Sequence, residues 1–177
     1  MSTALSPLPD AVRDEPELEA LLSRPSAADV DFARTLTGDV VVLGAGGKMG
    51  PSLARRVRRS CETAGVKHRV LAVARFSEPG LRTALERDGI ETIACDLLDP
   101  ADVARLPKSP NVLFLAGRKF GSSGRPDLTW AQNVVVPAIV AAHFRDSRIV
   151  VFSSGNVYPL VRPGGTGASE QDPVAPV

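Results

Sequence analysis

The sequence predicts an α/β fold in which a parallel sheet carries helices on both faces. Two observations predict it. From residue 40 onward, short segments that are apolar at nearly every position alternate with segments of helical spacing. A glycine-rich turn also joins the first of these strands to the first of these helices. A strand without polar positions is expected to be buried on both faces, as in a parallel sheet.

Five strands and the helices between them can be placed along the chain. The strands are expected at 40–43, 69–74, 90–94, 112–115 and 149–152, and the helices at 49–59, 80–88, 100–106 and 128–144. Asp99 and Asp127 stand where N-caps belong. Right-handed crossovers then favour the strand order 3-2-1-4-5, a Rossmann-type doubly wound sheet that is truncated after strand five.

The chain is expected to have three parts. Residues 1–37 form an N-terminal arm with two short helices, one carrying Leu18, Leu21 and Leu22 and one over 27–36 with Ser26 as N-cap. Residues 38–160 form the Rossmann domain. Residues 161–177 form an extended tail rich in Pro and Gly, without a substrate-binding region.

Composition excludes several classes of protein. The 177 residues carry 21 Lys+Arg and 20 Asp+Glu, and this balance gives no general attraction to nucleic acid or to an anionic membrane. No segment has the length and apolarity of a signal peptide or a membrane span. Cys61 and Cys95 lack metal-ligand spacing, so we expect no metal site and reduced thiols in a cytoplasmic protein.

The turn after the first strand reads Gly44-Ala45-Gly46-Gly47-Lys48-Met49-Gly50. Its spacing is G-x-x-G-x-x-G rather than G-x-G-x-x-G. Gly44 turns the chain off the strand, Gly46 and Gly47 leave room for a pyrophosphate, and Gly50 lets the helix approach the sheet. The strand–turn–helix context favours a dinucleotide, because the helix N-terminus attracts phosphate.

Four arginines follow on the same helix: Arg55, Arg56, Arg58 and Arg59. Few aromatic residues accompany them, and nothing else extends a basic patch. We therefore interpret them as a solvated helix face rather than a nucleic-acid interface.

Together these segments resemble the short-chain dehydrogenase/reductase superfamily, in its extended NAD-dependent epimerase/dehydratase branch. The glycine turn, Cys95-Asp96-Leu97, Leu113 to Gly117, Asn133, and Val150 to Tyr158 carry the resemblance. The resemblance implies that this chain binds a dinucleotide and, as part of a parent enzyme, a small-molecule substrate such as a nucleotide-sugar. It implies the following cofactor-binding residues: Gly44, Gly46, Gly47, Lys48, Met49, Gly50, Asp96, Leu97, Leu115, Ala116, Gly117 and Asn133.

The resemblance makes Ser154 the catalytic serine, which would hydrogen-bond the substrate oxygen. The alternative is that Ser153 and Ser154 merely end a strand. The family's Tyr-x-x-x-Lys pair should follow about 25 residues later, beyond Val177. Tyr158 and Arg162 are a poor substitute, because Pro159 prevents the helix that would align them. We therefore expect either an enzyme fragment without turnover or a non-catalytic dinucleotide sensor.

The end of the second strand bears on the choice of nucleotide. Arg75 stands where an NAD enzyme usually has an acid, and Glu78 lies beyond the expected reach. Arg75 could pair with the 2′-phosphate of NADP(H), so it favours that cofactor, with NAD(H) as the alternative.

Arg118 and Lys119 are expected either to hold an anion or to belong to a surface loop. The outer edge of the apolar fifth strand could pair with a second copy of the chain, so a homodimer is one alternative.

Overall fold

The computed structural model describes residues 8–118 and 124–175. Within them lies one five-stranded sheet in the order β3-β2-β1-β4-β5, and every pairing in it is parallel. The strands are β1 (Val40–Leu43), β2 (Val70–Ala74), β3 (Glu91–Ala94), β4 (Asn111–Phe114) and β5 (Arg148–Val151). The predicted fold class and strand order are confirmed.

Helices connect the strands and also precede them. They are α1 (Glu15–Leu22), α2 (Ala27–Thr35), α3 (Gly50–Ala64), α4 (Leu81–Arg87), α5 (Pro100–Ala104), α6 (Pro126–Trp130) and α7 (Val136–His143). Ser26 caps α2 through a complete capping box, and Asp99 caps α5 by accepting from the Ala101 N–H, as predicted. The N-cap of α6 is Arg125, so the assignment of Asp127 as a cap is wrong. Asp127 lies in the first turn and pairs with Arg125.

Each face of the sheet has its own apolar core. One core packs α5 and α7 against the sheet through residues such as Val103, Val140 and Phe144. The other packs α3 and α4 through Ala54 and Leu85. All four residues of β1 are buried, because β1 lies in the middle of the sheet and is covered on both faces. This arrangement brings the carboxyl ends of β1 to β4 to one edge of the molecule.

The predicted helix over 128–144 is interrupted. A π-helical turn, Ala131–Val135, separates α6 from α7 and is closed by a bond from the Val136 N–H to the Ala131 carbonyl. Pro137 explains the interruption, because proline has no N–H to donate to the carbonyl four residues earlier and its ring clashes with that carbonyl. The wider turn changes the direction in which its polar residues face: Gln132 lines the cleft described below, and Asn133 bonds the loop after β4.

Three of the four arginines of α3 are ion-paired and all four are half-buried, so their interpretation as a solvated face is wrong. Arg55 Nε donates to Asp88 at 2.6 Å, and Arg56 donates to Asp29 at 2.6 and 2.9 Å. Arg59 donates to the Ser23 hydroxyl. Asp29 and Ser23 belong to the N-terminal segment, so these bonds hold α1 and α2 against α3.

The outer edge of β5 has no strand partner within the described residues. Val150, Val151 and Phe152 at this edge are 49%, 59% and 42% exposed. Arg148, at the start of β5, lies 5.6 Å from the centre of the Phe32 ring of α2. None of the described helices is both long enough and apolar enough to cross a membrane.

Candidate dinucleotide site

A cleft lies where the carboxyl ends of the strands meet, at the point between β1 and β4 where the strand order reverses. Four loops form its floor and walls, each directly after a strand: Gly44 to Gly47, Arg75 to Glu78, Cys95 to Leu97, and Leu115 to Gly117. Leu81 and Gln132 complete the lining from the helices. Open α/β sheets bind ligands at this position.

The glycine turn forms the floor of the cleft. Gly44 has φ +84° and lies so close to β4 that a Cβ would be 2.6 Å from the Ala116 nitrogen. A Cβ on Gly50 would fall 2.6 Å from the Ala45 Cα, so Gly50 makes room for the turn itself rather than for the sheet. At Gly47 the nearest atom would be 3.4 Å away, and Gly47 is exposed on the cleft. Only Gly47 of these three is therefore free of a packing requirement.

The N-terminus of α3 adjoins this turn. No side chain caps it, and Pro51 occupies its first turn, where a missing N–H costs nothing. Lys48 and Met49 are exposed and lie outside the cleft lining. A helix N-terminus without a side-chain cap, beside exposed glycines, is a position at which proteins can bind an anion. Here the Gly50 N–H already donates to the Gly47 carbonyl at 3.1 Å.

The segment after β2 forms one wall. Arg75 is exposed and lines the cleft, as do Phe76, Ser77 and Glu78. Glu78, which we expected to lie beyond reach of the ribose, lines the cleft, and Phe76 between Arg75 and Ser77 has φ +49°. A left-handed phenylalanine costs about 1–2 kcal/mol, and such residues concentrate at functional sites.

The segment after β3 forms the adjacent wall. Asp96 Oδ1 accepts from the Leu98 N–H at 3.0 Å, and Asp102 Oδ2 accepts from the Asp96 N–H at 3.0 Å. Burial, reinforced by the charges of Asp102 and Asp96, raises the pKa of the Cys95 thiol to about 11. Cys95 is therefore a neutral, protonated thiol at physiological pH and contributes an apolar surface.

The segment after β4 is fixed by hydrogen bonds on both sides. The Leu115 N–H donates to the Leu43 carbonyl at 2.9 Å. Asn133, in the π-helical turn, accepts from the Arg118 N–H at 2.7 Å and donates to the Arg118 carbonyl at 2.9 Å. Asn133 thus holds this loop from behind and does not line the cleft. Lys119 lies outside the described residues.

The serine expected in catalysis is not part of this cleft. Ser154 is exposed, and its hydroxyl accepts from the Asn156 N–H at the start of a short 3-10 turn, Gly155–Val157. Tyr158 ends that turn, and Pro159 follows it. No group of three or more His, Cys, Asp or Glu among the described residues has the geometry to hold a metal ion.

The cleft also contains residues that the sequence analysis did not select. They are Ala74, Phe76, Ser77, Glu78, Leu81, Cys95 and Gln132. Most of them directly follow or adjoin a strand end, and that position was a signal available in the sequence. Gln132 was hidden, because an unbroken helix of 3.6-residue period gives no reason to direct it at the cleft.

Solved structures share this fold. A Helicobacter pylori ADP-L-glycero-D-manno-heptose-6-epimerase superposes with TM-score 0.61 at 19% identity, covering 77% of this chain and 45% of its own. The Bordetella bronchiseptica enzyme WbmG, in complex with NAD and UDP, gives 0.56 at 19% identity, covering 78% and 44%. A short-chain dehydrogenase/reductase superfamily protein from Agrobacterium tumefaciens with bound NAD gives 0.53 at 24%, covering 78% and 39%.

This likeness confirms the predicted resemblance at the level of the fold. The chain spans less than half the length of the three structures. No family model matches the sequence, and no curated protein matches it.

Proposed function

We propose that this chain is the dinucleotide-binding portion of an NAD(P)-dependent epimerase, dehydratase or reductase that acts on a nucleotide-sugar or a similar carbonyl or alcohol. The observation that carries the proposal is the cleft at the strand-order reversal, with an open glycine turn and an uncapped helix N-terminus at its floor. The bound NAD and UDP of WbmG agree with it.

The residues fit a dinucleotide. Gly46 and Gly47 would face the pyrophosphate, because both are exposed at the cleft and a Cβ on Gly47 would meet nothing nearer than the Gly44 carbonyl oxygen at 3.4 Å. Asp96 and Leu97 would meet the adenine, and Leu115 to Gly117 would line the remainder. A bound nicotinamide would supply hydride transfer, while the chain's own residues bind and orient it.

Arg75 and Glu78 decide between the two forms of the cofactor. Arg75 would pair with a 2′-phosphate, whereas Glu78 would accept from a 2′-hydroxyl and repel a phosphate. Arg75 is the first residue after β2, where NAD enzymes usually have an acid, so we propose a preference for NADP(H). Glu78 is the observation that favours NAD(H).

A non-catalytic dinucleotide sensor is the second candidate. One observation favours it: Ser154 is exposed and lies outside the cleft lining. In either case we expect this chain alone to show no turnover, since nothing beside Ser154 can transfer a proton at neutral pH. Epimerisation or hydride transfer on a panel of nucleotide-sugars tests this, and measured turnover would point to Tyr158 as the acid/base.

Calorimetric titration with NADPH and NADH tests the site itself. Gly47→Asp should abolish binding of both, because it places bulk and negative charge where the pyrophosphate would be. Thr63→Asp is the matched control, since it adds the same charge at an exposed position near the other end of α3. Unchanged affinity in the folded Gly47→Asp variant would contradict the proposed site.

A further inference from the structure

A second cavity lies away from the dinucleotide cleft, toward the amino ends of the strands. Val40, Asn111 and Arg148 begin β1, β4 and β5, and all three line this cavity. Its volume is about 150 Å³, and it shares no lining residue with the cleft. Neither the glycine motif nor the family resemblance gives it a role.

The strand register sets one wall of the cavity. Val40 pairs with Asn111, and Asn111 pairs in turn with Arg148. Paired residues of parallel strands point to the same face of a sheet, and so do residues two apart along one strand. Leu113 and Val150 therefore join them on this face, and both line the cavity.

Two helices form the other walls. α2 contributes the apolar residues Phe32, Ala33 and Leu36. α3 contributes residues at helical spacing, which places them along one side of the helix. These residues are Leu53, Arg56, Val57, Ser60 and Cys61. Most of the lining is therefore apolar, and an apolar cavity of this volume stays dry and accepts a body about the size of one benzene ring.

Two arginines line this cavity, and they differ in how their charges are balanced. Arg56 donates to Asp29 at 2.6 and 2.9 Å, and Asp29 is the one acid of the lining. Arg148 donates to Asn111 Oδ1 at 2.8 Å, and its guanidinium carbon lies 5.6 Å from the centre of the Phe32 ring. Both of these partners are neutral. Within the described part of the chain, 8–118 and 124–175, Arg148 forms no ion pair.

The neutral partners of Arg148 fix its guanidinium at the cavity and leave further N–H groups for an acceptor. A guanidinium pairs well with a carboxylate, because two parallel N–H groups match its two oxygens. We propose that this cavity binds a small-molecule carboxylate whose apolar body is about the size of one aromatic ring. The apolar body would fill the space between α2, α3 and the sheet, and the carboxylate would accept from Arg148. Such a ligand would join the N-terminal segment to β5.

Amide chemical shifts of the full 177-residue chain, titrated with benzoate and with benzamide, test this proposal. The two probes have the same ring, and only benzoate carries a negative charge. Wild type should bind benzoate with a dissociation constant of about 1 mM or lower, and benzamide about tenfold or more weakly. Acetate has the charge without the ring and should cause no saturable shift.

Two substitutions separate the charge from the cavity. Arg148→Met keeps an apolar stem and should weaken benzoate about tenfold or more, while benzamide changes little. Arg145→Met is its matched control, because Arg145 is exposed and lies outside the lining. Val150→Phe should block both probes by filling the cavity. Val151→Phe, on the other face of the same strand, should leave both unchanged.

Several results would overturn the proposal. Benzoate affinity that Arg148→Met preserves, or that benzamide equals, would show that the charge has no part in binding. Wild-type benzoate affinity in Val150→Phe would place the ligand elsewhere, and so would displacement of NADPH by benzoate. No saturable binding to wild type by about 10 mM would mean that there is no such site.

The comparison of benzoate with benzamide on wild type stands even where a variant loses stability. If NADPH itself does not bind, the proposed function fails, while the result with benzoate decides this inference separately.

Discussion

The glycines of the turn should separate into those that the fold requires and those that a ligand requires. Gly50→Ala places a methyl group 2.6 Å from two backbone carbons of Ala45, and no flexible side chain is there to yield. Overpacking of this kind costs about 1–3 kcal/mol, and sometimes more when backbone must shift. Gly44→Ala likewise brings a Cβ close to the Ala116 backbone. It also forces an alanine into a left-handed conformation, which costs a further ~1–2 kcal/mol.

Gly47→Ala should behave differently. Its φ lies outside the left-handed region, and the new Cβ would be in ordinary contact, 3.4 Å from the Gly44 carbonyl oxygen. We expect the free energy of unfolding to change by less than about 1 kcal/mol, because alanine also reduces the freedom of the unfolded chain. The methyl group nevertheless stands in the cleft, so NADPH and NADH should bind about tenfold more weakly or worse.

Thermal unfolding and calorimetric titration of the three variants decide the matter. For a chain of this size, a loss of about 3 kcal/mol lowers the unfolding midpoint by roughly 6–12 °C, whereas Gly47→Ala should stay within about 4 °C of wild type. Equal destabilisation by Gly47→Ala and Gly50→Ala would refute the reasoning. So would a Gly47→Ala variant that binds both dinucleotides as tightly as wild type.

Three other changes test other parts of the molecule. Arg75→Asp should weaken NADPH and spare or improve NADH in competing titrations, and a tenfold wild-type preference for NADH would contradict our reading of Arg75. The pKa of the Cys95 thiol is raised from 9.0 to about 11, so its stabilisation is complete below pH 9 and lost as pH rises through 11. Urea unfolding should therefore show wild type losing up to about 3 kcal/mol more than Cys95→Ala between these values, and equal slopes would contradict this. The exposed edge of β5 should pair with a second copy, so Val151→Lys should reduce the mass measured by light scattering; a monomeric wild type would contradict the pairing.

The sheet could be predicted from the sequence because local signals determine it. β1, β2 and β4 are short and almost wholly apolar, and each is followed by a turn or a loop. Strand order then follows from crossover handedness, which local composition does not change. At the majority of strand ends the observed boundary differs from the predicted one by a single residue, because strand ends fray and their hydrogen bonds define a boundary poorly.

The rest of the site could not be predicted in the same way, because it depends on backbone departures from regular geometry. Phe76 adopts a left-handed conformation that its residue type disfavours, and Glu78, two residues later, lines the cleft. Pro137 was the available signal for the π-helical turn, but the apolar period of residues 128–144 continues through it. One proline therefore decides which polar residues reach the cleft and which only brace a loop.

Three arginines of α3 show a different limit, since the partners of Arg55, Arg56 and Arg59 are 27 to 36 residues away in the sequence. A helical wheel shows a charged stripe and cannot show what faces it. Burial works against ionisation of Asp29, but hydrogen bonds from Ser26 and Arg56 outweigh it and lower its pKa. The pairing is thus stabilising above the ordinary pKa of a carboxyl and is lost as pH falls below it.

These long-range bonds act on the same helix whose N-terminus adjoins the glycine turn. Arg56 and Arg59 fix α3 to the N-terminal segment, while Arg55 fixes it to the end of α4 through Asp88. Contacts on two sides resist both rotation of α3 about its axis and sliding along it. An anion at a helix N-terminus is stabilised by N–H groups and a dipole that must already point at it. The N-terminal helices therefore contribute to the cleft without touching it, by holding in place the helix on which the proposed phosphate site depends.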